Sequence, residues 1–136
     1  MITGRCLCGA VKYRTAGAPI VTRVCWCRLC QYLGAGSGTV NVCFPSDGFE
    51  ITGEVRDYVS TADSGTEMHR KFCPKCGTPM FSEAASRPHL IFVRAGTLED
   101  TSVAKPVMTI WTSEAPVWAC FDDQLPRVER QPPPAA

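Results

Sequence analysis

Short stretches with alternating apolar and polar residues recur along most of the chain. Val11-Lys12-Tyr13-Arg14-Thr15 and Ile20-Val21-Thr22-Arg23-Val24 are the first two. Period-two alternation places one set of side chains in a core and the other in water, the signature of a half-buried strand. The same reading predicts strands at Thr39–Phe44, Phe49–Thr52, Arg56–Ser60, Met68–Phe72, Leu90–Arg94 and Val107–Trp111. Gly 11 and Pro 11 punctuate these stretches throughout, and regular short strands between turn signals predict an all-β sandwich or open barrel. The helical pattern is confined to one or two turns in Arg28–Leu33, stopped by Gly34. Gly34-Ala35-Gly36-Ser37-Gly38 reads as a turn, and no phosphate-loop Gly-Lys-Ser/Thr follows it. The end, Gln131-Pro132-Pro133-Pro134-Ala135-Ala136, is polyproline-like and offers nothing to pack. The expected organisation is therefore one domain over residues 1–127 with a Pro-rich tail over 128–136.

Composition narrows the function classes. The 136 residues are 45% hydrophobic, enough for one core. Lys+Arg 14 against Asp+Glu 13 leaves no cationic excess for nucleic acid or anionic lipid, so neither partner is expected. No apolar run approaches the roughly 18 residues needed to span a bilayer, so no membrane association is expected. The opening Met1-Ile2-Thr3-Gly4-Arg5-Cys6 has no apolar signal core, and the expectation is a cytoplasmic protein.

Cysteine changes the picture most. Nine is too many for packing alone, and an odd count without a signal segment does not suit a complete disulfide framework. Seven of the nine fall in three clusters: Cys6-Leu7-Cys8, Cys25-Trp26-Cys27-Arg28-Leu29-Cys30 and Cys73-Pro74-Lys75-Cys76. In an extended segment Cys-x-Cys aims both sulfurs to one side. Cys-x-x-Cys reaches the same end by a tight turn, for which Pro74 and Gly77 are suited. Zn²⁺ takes four thiolates in a tetrahedron, or three with a position left for substrate. Seven sulfurs therefore close one site and leave a second open. Spacing alone does not say whether Cys73 and Cys76 join Cys6 and Cys8 or Cys27 and Cys30.

Gly4-Arg5-Cys6-Leu7-Cys8-Gly9-Ala10-Val11, the Cys25–Cys30 cluster and Phe72-Cys73-Pro74-Lys75-Cys76-Gly77-Thr78-Pro79 together resemble the glutathione-dependent formaldehyde-activating enzyme family, which includes centromere-protein-V-like domains. Ala95-Gly96-Thr97-Leu98, Trp111, Pro116, Trp118 and Leu125-Pro126 extend the likeness over nearly the whole chain. The resemblance implies an all-β, Mss4-like fold with antiparallel sheets bent around a zinc-held core. It also implies a ligand set, with Cys6, Cys8, Cys73 and Cys76 on a structural zinc and Cys25, Cys27 and Cys30 on a second, open zinc. Trp26 stands where family members often carry His, a departure at the open site.

An open three-thiolate zinc is electron-rich and suits a fourth sulfur better than a water. A thiol seated there loses its proton yet stays nucleophilic. The expected reaction is therefore formation or cleavage of a thiol–aldehyde adduct, a carbon–sulfur lyase reaction. Glutathione or another small thiol would be the co-substrate, and the alternative is a zinc-stabilised binding module without catalysis. Trp26 and Arg28 are the candidate substrate contacts, and Trp26 favours a bulkier or more apolar partner than formaldehyde. Arg23, Arg28, Arg70 and Lys71 flank the clusters and would balance thiolate charge or grip a carboxylate. Cys43, Cys120, His69, His89, Trp111 and Trp118 read as core or structural residues.

Overall fold

A computed structural model describes residues 1–62 and 64–134. The alternating stretches become strands. A small antiparallel sheet is built from β1 (Ile2–Arg5), β2 (Lys12–Thr15) and β5 (Phe49–Thr52), in the order β1-β2-β5. The larger sheet comprises β3 (Val21–Cys25), β4 (Thr39–Pro45), β6 (Arg56–Thr61), β7 (Glu67–Phe72), β8 (Pro79–Ala84), β9 (Leu90–Arg94) and β10 (Met108–Ile110), in the order β10-β3-β4-β9-β8-β7-β6. Every pairing is antiparallel except β10 on β3. The one α-helix described, α1 (Arg28–Leu33), lies where Gly34 was expected to stop it. The fold is thus nearly all-β, as the alternation and the resemblance both led us to expect.

Two strands escaped the sequence reading. β1 is four residues with a glycine at its one buried position, and β8 starts at a proline and has Met80, Phe81 and Ser82 buried in succession. A strand covered on both faces loses the alternation that advertises it. β8 lies between β9 and β7, with a register shift at Lys71/Phe72.

The core fills the space between the sheets. Tyr13, Val42, Phe44, Phe81, Ile91 and Val93 are buried and packed together. Phe49 stacks on Tyr13 at 5.3 Å between ring centroids and meets Phe81 edge-on at 5.8 Å. Fully burying each such ring contributes about 1.5–3 kcal/mol. Burial pushes the Tyr13 phenol up to about 12, and its hydroxyl is satisfied by Thr97 Oγ1 at 2.8 Å. Val128 N–H donates to the Thr109 carbonyl at 3.0 Å, so the chain beyond Arg127 runs beside β10. Residues 135 and 136 of the expected tail lie outside the described residues.

Two buried-core expectations need correction. Cys120 is exposed, because the segment around it turns outward rather than forming a strand. Trp118 is 66% exposed and covers Trp26 from outside. Cys43, by contrast, is fully buried. No helix among the described residues is long and apolar enough to cross a membrane.

Candidate metal centres

The first centre is made by two turns that face each other. One follows β1, where Cys6 N–H donates to the Val11 carbonyl at 3.0 Å and Gly9 N–H to the Cys6 carbonyl at 3.1 Å. The other follows β7, where Gly77 N–H donates to the Cys73 carbonyl at 2.8 Å and Cys73 N–H to the Thr78 carbonyl at 3.0 Å. Gly9 and Gly77 both sit at positive φ, +84° and +77°, a conformation that a Cβ disfavours and that each turn requires. Leu7 N–H donates to Thr78 Oγ1 at 3.2 Å and ties one turn to the other.

This arrangement brings the sulfurs of Cys6, Cys8, Cys73 and Cys76 within 4.8 Å of one another. The geometric choice left open by spacing thus falls to Cys6 and Cys8 as the neighbours of Cys73 and Cys76. Cys6 and Cys8 lie 3.6 Å apart and Cys8 and Cys73 3.9 Å apart. Four thiolates at 2.3 Å around a tetrahedral zinc would lie about 3.8 Å from one another. Backbone N–H groups also point at the sulfurs, from Val11 to Cys6 at 3.3 Å and from Lys75 to Cys73 at 3.4 Å. The Thr78 hydroxyl, 3.1 Å from Cys76, holds that thiol down at about 5. Sulfurs too far apart for a disulfide, near tetrahedral spacing and surrounded by donors, form a set that fits zinc.

The second centre lies where the chain leaves β3 and enters α1. Cys25 ends β3, Cys27 caps α1, and Cys30 sits one turn into it. The three sulfurs also lie within 4.8 Å of one another, Cys25 buried and the other two half-buried. Cys27 Sγ accepts the Cys30 N–H at 3.3 Å, so the cap and the ligand cluster are the same feature. Hydrogen bonds from the Cys25 and Cys27 thiols bring Cys30 down to about 3, with help from the Thr39 hydroxyl and the Arg94 guanidinium. Those same sulfur contacts, with burial, push Cys25 up. Zinc takes its cysteine ligands as thiolates and displaces their protons on binding, so three sulfurs converging on one point suit a zinc site. Among the described residues no fourth Cys, His, Asp or Glu joins this group.

Gln31 fastens the loop to the helix, donating to the carbonyls of Trp26 at 2.8 Å and Glu114 at 3.0 Å. Trp26 itself is 5% exposed, packed edge-on against Trp118 at 6.5 Å and Phe121 at 5.7 Å. Arg28 is exposed; it reaches Gln31 Oε1 at 2.5 Å and covers the Tyr32 ring at 5.2 Å. Of the other flanking cations, Lys71 pairs with Glu83 at 3.1 Å and Arg70 bonds Ser60 Oγ at 2.8 Å. Arg94 escaped the sequence reading, since a strand-ending arginine gives no spacing signal. A cleft of about 860 Å³ opens beside the first centre, lined by Arg5, Cys6, Leu33, Thr39, Arg94 and Leu98 among others. None of Cys25, Cys27 and Cys30 lines it; Thr39 is its nearest wall to the second centre, being paired with Cys25 across β3 and β4.

The family described as "Glutathione-dependent formaldehyde-activating enzyme" matches residues 1–114. Among solved structures, a crystal structure of a Rhodobacter sphaeroides protein is similar at a TM-score of 0.57 and 22% identity, covering 72% of this chain and 88% of that one. At that identity the likeness concerns the fold alone. None of the curated proteins is significantly similar in sequence.

Proposed function

The chain belongs to the glutathione-dependent formaldehyde-activating enzyme family, and on that premise we propose that it is a zinc-dependent carbon–sulfur lyase acting on a thiol–aldehyde adduct. The observation that carries this reading is the inequality of the two sulfur clusters. One offers four ligands and the other three, and a three-ligand site leaves a position for substrate.

In this reading Cys6, Cys8, Cys73 and Cys76 hold a structural zinc, and Cys25, Cys27 and Cys30 hold a second one. Zinc at the second centre would supply a seat on which a small thiol binds as its thiolate. The protein's own residues do the rest. Cys27 and Cys30 are half-buried, so a thiol approaches from their exposed side, while the buried Cys25 closes the back. The indole of Trp26 braces Trp118, whose exposed face is where an apolar partner would pack. Arg28, exposed beside the cluster, is the proposed carboxylate contact. In the forward reaction the S–C bond forms, the carbonyl π bond breaks and the thiol proton ends on the oxygen. The reverse restores thiol and aldehyde. Glutathione is the thiol the family name suggests, and seven thiolates suit the reducing cytoplasm we propose as its location.

Calorimetry with a panel of thiols, in two buffers of different ionisation enthalpy, tests this. Binding should release a proton and strengthen as pH rises toward the free thiol's ordinary value, about 8.5. Adduct exchange should then run faster than the spontaneous reaction. No zinc-dependent thiol binding, with no rate above background for any thiol–aldehyde pair, would leave a non-catalytic binding module instead.

A further inference from the structure

Two arginines beside the second centre carry charge that no carboxylate answers. Asn41 of β4 is the register partner of Arg23 on one side and of Arg94 on the other. The Nε atoms of both arginines are buried without a hydrogen-bond partner. Neither arginine makes an ion pair with a carboxylate among the described residues. A guanidinium with its Nε buried and unpartnered is costly, so a counter-charge should lie close by. The anions available are sulfurs, since Asn41, which both arginines flank, stands two residues from Thr39, the register partner of Cys25.

The hydrogen bonds between them have a forced direction. A guanidinium only donates. Arg94 donates one nitrogen to Ser82 Oγ at 2.6 Å and another to Asn41 Oδ1. The Asn41 oxygen is thereby committed, and its amide nitrogen donates to Thr39 Oγ1 at 2.9 Å. With its oxygen accepting, the Thr39 hydroxyl keeps its proton for the sulfurs beside it, Thr39 being the register partner of Cys25 across β3 and β4. Every donor in the row points the same way, from the cation toward the sulfur, and such chains strengthen each other.

We propose that Arg94, acting through Asn41 and Thr39, is the counter-cation and positioning residue of the Cys25–Cys27–Cys30 centre. Three thiolates around a divalent zinc carry one net negative charge, which one guanidinium neutralises. Partners of this kind orient ligands and tune metal affinity. The inference rests on the reading that the three cysteines hold a metal.

Cobalt-substituted protein tests it, with Thr39→Val as the shape-conserving variant and Arg94→Gln as the charge-removing one. Each should weaken the second site by about 10–100-fold in chelator competition while the four-cysteine site keeps its affinity. The sulfur-to-cobalt charge-transfer band should move to lower energy, because a thiolate that loses a hydrogen bond is easier to oxidise. The double variant should be little worse than either single one, as members of one relay are not additive, and Arg94→Lys should recover part of the affinity. If Arg94→Gln does not fold, Thr39→Val carries the test alone. Unchanged affinity and band position would overturn the proposal, as would equal weakening of both sites together with a lower melting temperature. A wild-type protein that loads only one cobalt would overturn the metal reading and this inference with it, an outcome distinct from a doubly loaded protein that ignores both substitutions.

Discussion

Cys73 and Cys27 are both half of a Cys-x-x-Cys pair, yet their surroundings give them different work. Cys73 is fully buried, belongs to the core cluster and ties the end of β7 to the turn after β1. Structural zinc contributes about 10–16 kcal/mol of apparent folding free energy in small domains, so Cys73→Ala is expected to unfold the chain. Cys27 lies at the end of a six-residue helix; Cys27→Ala should leave the sheet signal in circular dichroism intact and remove the second metal alone. Equal collapse of the two variants would make both centres structural. At this scale the thiols were legible, because sulfur in tight clusters has few alternative uses. Arg94 was not, since its significance comes from β4 and β9 lying side by side. Cys120 was misread because apolar neighbours in sequence do not bury a residue when the segment carries no strand.

The β6–β7 hairpin at the edge of the large sheet shows what an element adds. His69 of β7 bonds Asp57 of β6 at 2.6 Å and approaches Glu67 at 3.3 Å. The Asp57 carboxylate raises the imidazole above its ordinary 6.5. A raised pKa means that the folded chain favours the protonated ring, so this contribution to stability is fully present below about pH 6.5 and fades as pH rises through the folded value. The melting temperature should therefore decline between about pH 6 and pH 9 more steeply in the wild type than in His69→Gln; parallel curves would contradict this. Both strands of the hairpin were legible from alternation, whereas β8, covered on both faces, was not. The bulge at Lys71/Phe72 had no signal either, since a register shift depends on the partner strand.

Over the whole molecule, the cleft touches the four-cysteine cluster at Cys6 and approaches the three-cysteine cluster only through Thr39, the register partner of Cys25. The family likeness made the fold legible well before any strand pairing was known, and the alternation supplied most strands. The order of strands in the large sheet lay beyond both, because it follows from long-range packing. We propose residues 1–127 as the metal-binding domain, with the following residues as a clasp. Val128 N–H donates to the Thr109 carbonyl, and the carbonyls of Val128 and Glu129 accept from the Thr112 and Ser113 N–H groups. A chain ending at Arg127 should melt earlier but keep both metals, as native mass spectrometry would show; loss of metal would move the boundary outward.

The same spectrometer gives the most direct test of two unequal metal centres. Under a chelator titration, the zinc-loaded protein should pass from two metals to one and only later to none, because a three-cysteine site has one protein bond fewer than a four-cysteine site. Cys27→Ala should begin the titration at one metal. A wild-type chain that carries a single zinc, or that loses two together, would contradict the account.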